Sequence, residues 1–583
     1  MIVPMKKTYV IVYKNDSSKA VESLREMGIL HVENLEAAPA GSLEQIHQDI
    51  QRLTSSIAVL KPFMDAKQEN VFHWHEKTEE ILTLASQITA HRESLHHRMQ
   101  LINQLVVWGN FDPRDIDELA ERGIYITLCE ISDRSQIPQG VAAEKISEEK
   151  KLGRYAIFSF NKPELLCPEF HYPSMSLNEL KSLQDKERKE MIGKESQLKS
   201  FAKYVTGFEK ILHEESESLR LREVVCGMRQ EDTVNLLKGF VPADQIQVLE
   251  KYAKKEQWGL LIEDPTGEDV VPTCVKNPKW IEIIKPMFSI MNIVPGYKEK
   301  DISVFFLIFF SIFFGILVGD AGYGGLFLLI TVIAHKTTGS KIEDKSIFYL
   351  SYLLSTVTIV WGLLTGTFFG TLLFGKVFKP LLPWLTDPKN VQFLCFTLGV
   401  IHLSIAHIWR ALTRGTVFGG LAEVGWILML WGSYFLANMM LLGYAMPWFV
   451  KYLYLAGAIF VIADIVAQRT DIGVNMILFV FSVINTFGDI VSYIRLFAVG
   501  LAGVAVADAF NQMALGIGFS NIFVGVGAVL VLAFVHLFLN LALCVMGVLV
   551  HGVRLNVLEF SGHLGMEWSG IKYNPLTRLK INQ

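Results

Sequence analysis

From Asp301 onward the chain is dominated by apolar runs of membrane-crossing length, and no other feature constrains its fold as strongly. About eight runs can be read, at roughly 302–319, 322–336, 347–374, 391–412, 420–444, 448–467, 473–513 and 521–558. An apolar helix needs ~20 residues to cross a bilayer, so the last two are expected to tilt or protrude. Residues 1–300 are polar and charge-rich. That segregation reconciles a mean hydropathy of +0.33 with 19% charged residues, too many for a chain lying wholly in lipid. The expected fold is an α-helical membrane protein of about eight transmembrane helices with an N-terminal cytoplasmic α+β domain of two lobes joined by a long antiparallel coiled coil.

An even number of spans returns the chain's end to the side on which it began. Under that topology Lys336, Lys341, Lys345, Arg410, Arg414 and Arg469 face the cytoplasm, against Lys376, Lys379, Lys389 and Lys451 outside, a weak positive-inside bias. The opening MIVPMKKTYVIVYKND has only a short VIVY apolar core, unlike a secretory signal. Both ends are therefore expected in the cytoplasm of a multi-pass protein of a prokaryotic cell membrane. A net charge of −4 leaves no nucleic-acid footprint. The six cysteines, at 129, 167, 226, 274, 395 and 544, form no CxxC pair and no zinc spacing. HWHEKTEE at 73–80 lacks the second histidine of HExxH. No metal, cofactor or catalytic residue is expected.

A cytoplasmic arm is assigned to residues 1–290 and the membrane domain to 291–583. Small α/β units are expected near 1–40, 111–170 and 230–264. Between them the apolar period changes to alternating threes and fours, with Leu43, Ile46, Ile50, Leu53, Ile57, Leu60 and Met64 in one run and Ile81, Leu84, Ile88, Leu95, Ile102 and Leu105 in the next. Met191, Leu198, Phe201, Val205, Phe208, Leu212 and Leu219 form a third. Such spacing calls for a helical partner. Coiled-coil segments near 42–108 and 177–222 would run out to a tip and back.

Within the membrane half, Arg495 interrupts the longest apolar run. A guanidinium at bilayer depth costs roughly 2.5–3.5 kcal/mol on insertion scales and marks polar cavities or ion pathways. With about 20 helical residues on either side, at ~1.5 Å each, it cannot snorkel to an interface. Ser482, Asn485, Asp489 and Ser492 form a stripe leading to it. On the last span His536, Asn540, Cys544, Gly547, His551 and Arg554 recur at intervals of three and four, so one face is polar or small over several turns. Two such stripes, each bearing an arginine, look like the walls of aqueous half-channels. Asp320 sits at an expected helix break where a carboxylate would cap the next helix. His402, His407, Glu423 and Asp464 suit either water-filled cavities or interhelical hydrogen bonds.

These residues carry a resemblance. VSYIRLFAVGLAG around Arg495, VHGVRLNVLEF around Arg554, VGDAGYG around Asp320 and LGVIHL at 398–403, which holds His402, resemble over nearly the whole chain the membrane stator subunit (subunit a or subunit I) of V-type and A-type rotary ATPases. The resemblance implies that Arg495 faces the carboxylates of a rotating proteolipid c/K ring, with Arg554 its helper. It implies half-channels, for which Asn485, Asp489, Ser492, His536, Asn540, His551, Glu559, Glu423 and Asp464 are candidates, carrying H⁺ or Na⁺. The implied partners are the ring, E/G-type peripheral-stalk heterodimers, a central-stalk d/C-type subunit, the lipid bilayer and, indirectly, the ATP-hydrolysing A3B3-type head. Two positions depart from the family: Thr367 and Cys544 stand where acids are expected, leaving Glu423, Asp464 and His551 as candidates for part of the exit route.

Three alternatives compete with that resemblance. A secondary ion transporter or channel with a cytoplasmic regulatory domain should show repeated halves, and no internal repeat is found. A self-powered pump needs a nucleotide site, and GTLLFGKV at 370–377 has Val377 in place of the required Ser/Thr. A pure scaffold leaves Arg495 without a purpose.

Overall fold

The computed structural model describes residues 1–37, 39, 41, 43–64, 69–131, 141–149, 152–160, 169–342, 344–371, 379–468, 471–517 and 522–578. Arg469 and Lys376, counted above as loop cations, and most of the phosphate-loop look-alike lie outside them.

The first strand, β1 (Met5–Tyr13), alternates as a half-buried strand must: Thr8, Val10 and Val12 point inward while Ile11 and Tyr13 are exposed. Its inward side packs on α1 (Ser17–Met27), where Ala20, Val21 and Leu24 recur at helical spacing. Gly28 ends that helix at φ +62° and returns its N–H to the Leu24 carbonyl, a left-handed cap that favours glycine. After β2 (His31–Glu33) the chain leaves, and it returns in β6 (Arg229–Glu231), β7 (Val234–Pro242) and β8 (Gly259–Glu263). The order is β2-β7-β1-β8, with β6 also pairing β7, and Val10 opposes Leu237 in β7 and Leu260 in β8. The segments near 1–40 and 230–264, expected as separate units, thus complete a single sheet. Pairings between residues more than two hundred positions apart leave no local trace in sequence.

Helices α2 (Glu44–Leu60) and α3 (Trp74–Val106) lead away from this lobe, and α5 (Leu177–Ser200) and α6 (Val205–Cys226) come back. Glu80 meets Gln197, Gln87 meets Lys194 and His91 meets Glu187, so α3 and α5 run antiparallel. Leu53, Ile57, Leu60, Ile81, Leu84, Ile88, Leu198, Val205 and Phe208 are buried between the helices, the residues that the three-and-four spacing singled out. At the tip, β3 (Tyr125–Ile131), β4 (Ala142–Glu149) and β5 (Leu152–Ser159) make a sheet in the order β3-β5-β4. β4 was not expected, because AAEKISEE has one large apolar residue and reads as solvated chain.

Among the described residues, six helices in the second half are long and apolar enough to cross a membrane: Ser346–Thr365, Pro388–Thr413, Val417–Leu442, Val450–Gln468, Ile472–Gly516 and Gly525–Leu564. The first two expected spans are instead shorter helices, Ser303–Val318 and Ala321–Thr338, bent by 119° at their junction. Gly319 turns there at φ +69°, and Asp320 caps the second helix. Phe306, Phe310, Phe313, Val400, Leu403, Tyr493, Leu496, Val548 and Phe560 form the shared core. The last helix contains wide π-type turns at Val535–Asn540, Val548–Gly552 and Leu555–Phe560, the kind of irregularity that clusters at functional sites. Beyond it, Ile571–Lys572 pairs in parallel with Pro272–Thr273, and buried Leu576 joins the core of the β1 lobe. The two ends of the described chain lie on the same side of the helices.

Candidate functional site

Arg495 and Arg554 come from different helices and converge on one carboxylate. The Arg495 Nη2 lies 2.9 Å from Glu559 Oε1, and the Arg554 Nε lies 3.4 Å from the same oxygen. The Arg495 Nε also donates to the Ser492 carbonyl at 3.0 Å, which fixes the direction of the guanidinium. Glu559 is buried, Arg495 is largely so, and Arg554 is half exposed. A buried charge is tolerated only when paired and hydrogen-bonded, so the two cations and one anion stand together. Tyr493, two residues before Arg495, is locked by His402: its hydroxyl is 2.8 Å from His402 Nδ1, and that imidazole stacks between Phe309 and Phe560. His402 therefore acts in packing.

Toward the soluble domain, Asp489 Oδ2 is 3.0 Å from His563 Nε2. His563 Nδ1 is 2.9 Å from His407 Nε2, and His407 Nδ1 is 2.6 Å from Glu423 Oε2. Glu423 also holds Arg410 at 3.1 Å and Arg414 at 3.3 Å, and Arg414 reaches Asp464 at 3.3 Å. Glu423 and Asp464 thus sit at the end near Lys300, whose ammonium contacts Thr413. That is the opposite end from Thr367. Asn485 and Ser492 line the outer and partly open faces of the same helix as Asp489, with Ser492 bonding the Gly488 carbonyl.

The opposite end holds a second polar group. Tyr323 Oη is bonded to His536 Nδ1 at 2.5 Å and to the Asn540 amide at 2.7 Å, and His536 Nε2 lies 3.0 Å from Asn511 Oδ1. Asp508 accepts from the Thr371 N–H at 2.7 Å and from its hydroxyl. Asp320 accepts from the N–H groups of Gly322, Tyr323, Phe369 and Gly370 at 2.7–3.3 Å, which accounts for it as a structural cap. Thr367 bonds the Gly319 carbonyl at 2.6 Å. Beside it a cavity of about 210 Å³ is lined by Gly319, Thr365, Thr367, Thr371, Leu496 and Gly500. Its inner wall is the residue next to Arg495.

The stripe on the last helix is therefore divided. His536, Asn540 and Cys544 are buried against Tyr323 and its neighbours, while His551 and Arg554 are more open. Sequence reasoning passed over Asn511, Asp508, Tyr323 and His563. Asp508 and Asn511 carried a signal, as polar residues in the small-residue run AVADAFNQ, and His563 was hidden beyond the end of the apolar span. Among the described residues no group of three His, Cys, Asp or Glu is placed to hold a metal ion.

No family model matches the chain. The V-type ATP synthase subunit I of Borreliella burgdorferi is 30% identical over 613 residues, covering 100% of both chains. The V-type ATP synthase subunit I 1 of Treponema pallidum is 30% identical over 628 residues, covering 99% of each. The A-type ATP synthase subunit I of Pyrococcus abyssi is 24% identical over 486 residues, covering 79% of this chain and 71% of that one.

Proposed function

The chain belongs to the V-type and A-type ATP synthase subunit I family, and on that premise we propose that it is the ion-translocating part of the stator, with Arg495 as the cation that meets the carboxylates of a rotating proteolipid ring. The observation that carries this reading is the convergence of Arg495 and Arg554 on Glu559. The site holds one carboxylate against two guanidinium groups inside an apolar bundle, so a carboxylate at that depth can reach Arg495. A ring carboxylate arriving beside Arg495 is favoured in its charged form and gives up its ion. Arginine suits the task because it keeps its proton where a buried lysine would lose it.

The fixed charge also separates two access routes. On the soluble-domain side Asn485, Asp489 and Ser492 lead to Arg495; on the other, the cavity beside Thr367 and the Tyr323–His536–Asn540 cluster do. A cation crossing directly between them would have to pass the guanidinium, so transport requires the ring to turn. His551 and Arg554 border the open part of this passage. The arm formed by α2, α3, α5 and α6 supplies the long lever by which peripheral stalks hold this subunit still. ATP chemistry resides on other subunits.

The test is Arg495→Ala in the complete complex. Assembly is expected to persist while ATP-driven ion uptake into reconstituted vesicles is lost, and Arg495→Lys should be severely impaired. Uptake at the wild-type rate by the alanine variant would remove Arg495 from the mechanism.

A further inference from the structure

The chain Asp489–His563–His407–Glu423 has a property that neither its carboxylates nor its imidazoles have alone. Four groups meet in three hydrogen bonds, at 3.0, 2.9 and 2.6 Å. Two neutral imidazoles carry one N–H each, so they can fill two of the three. The third bond needs one further proton. With it, every contact is satisfied in more than one way. In one arrangement protonated Asp489 donates to His563 Nε2, His563 Nδ1–H to His407 Nε2, and His407 Nδ1–H to Glu423. In the other, protonated Glu423 donates to His407 Nδ1, His407 Nε2–H to His563 Nδ1, and His563 Nε2–H to Asp489. Shifting three protons, each along its own hydrogen bond, carries one proton equivalent from Asp489 to Glu423 or back. Nothing is oxidised, and both imidazoles turn over to reset the chain.

From these contacts we infer that Asp489, His563, His407 and Glu423 are a proton relay on the soluble-domain side of Arg495, and that the ion handed to the ring is therefore H⁺. The inference rests on the stator reading above. Its ends are appropriately placed. Asp489 lies on the Arg495 helix, a turn and a half before the arginine, and is partly exposed. Glu423 is buried but flanked by Arg410 and Arg414, whose side chains are 28% and 35% exposed at the turn between their helices. Water at that turn supplies or takes the proton. Arg410 and Arg414 both lie against Oε1 of Glu423, which leaves Oε2 to His407. Lys300 and Asp464 complete the surrounding charges. A sodium ion would find imidazole nitrogens where it needs a cage of oxygens.

The test uses the assembled complex in vesicles and follows ATP-driven acidification with a pH dye alongside ²²Na⁺ uptake. His407→Gln and His563→Gln keep a side chain that donates and accepts hydrogen bonds but cannot pass a proton through itself. Each is expected to lower acidification by about a hundredfold or more, the range lost with a proton-transfer group, while the subunits still co-purify. Added imidazole should restore part of the rate in His563→Gly. Wild-type rates in both glutamine variants would overturn the relay, as would uptake of ²²Na⁺ without acidification. Arg495→Ala in the same assay separates the two readings. If it is inactive while the glutamine variants are normal, only the relay fails; if it too is normal, the stator reading fails with it.

Discussion

At the scale of single residues, the two arginines differ in how firmly they are held, and that difference predicts different phenotypes. Arg495 is largely buried, bonds both Glu559 and the Ser492 carbonyl, and stands beside the locked Tyr493. Arg554 reaches the same Glu559 oxygen from a longer distance and is half exposed. Removing Arg554 leaves Glu559 with its closer partner, so Arg554→Ala is expected to slow ion uptake by roughly tenfold or less, about 1.4 kcal/mol at the barrier, without abolishing it. Initial rates of vesicle uptake check this, and complete loss would make the two cations equivalent. Arg495 was legible in the sequence because a charge in a long apolar run has few innocent explanations. The pairing of Arg554 with Glu559 was not, since four residues of π-distorted helix lie between them and no ideal helical wheel brings them together.

Between elements, the packing of the Arg495 helix turns on glycine. The Cβ of an alanine at Gly500 would lie 2.5 Å from the Ile316 carbonyl, which belongs to backbone and cannot rotate away, whereas at Gly503 nothing lies within 4 Å. Gly500→Ala should therefore push the helix off Ser303–Val318 at the bend and destabilise the subunit by about 1–3 kcal/mol, while Gly503→Ala should be nearly neutral. Thermal melting of the two variants in detergent decides the matter, and equal melting temperatures would contradict it. The sequence showed a run of small residues but could not say which of them touch. Spacing revealed the arm helices, because their apolar period survives in the amino-acid order. It could not reveal the 119° bend as a tight reversal of two short helices, since both arms of the bend are apolar on every face.

Across the whole molecule, the β1 lobe is tied to the membrane half by more than the linker near residue 290. Residues beyond the last helix fold back onto it: the Tyr573 hydroxyl donates to the Ile29 carbonyl, the Leu576 N–H to the Leu30 carbonyl, and Arg220 to the carbonyls of Pro575 and Thr577. The Asn574 N–H donates to His31 Nδ1 at 3.0 Å, which requires that nitrogen to be free of a proton. Burial holds the His31 pKa below its ordinary value against the pull of nearby Glu33, and the Asn574 N–H, which Nδ1 can accept only when unprotonated, favours the same neutral form. A histidine whose folded pKa is depressed contributes stability in full above its unfolded pKa of about 6.5, and that contribution falls as the pH drops below it toward the folded value. The strap should thus loosen under acid. The protection factors of the amides in residues 571–578, taken against the intrinsic exchange rate at each pH, are expected to fall between pH 7.5 and pH 5.5. In His31→Asn, which offers an acceptor that does not titrate, this fall should vanish; if it persists, His31 is not its source. A stator must resist the torque that its rotor applies, and a clamp from the last helix onto the base of the arm closes the load path through the same helix that carries Arg554 and Glu559.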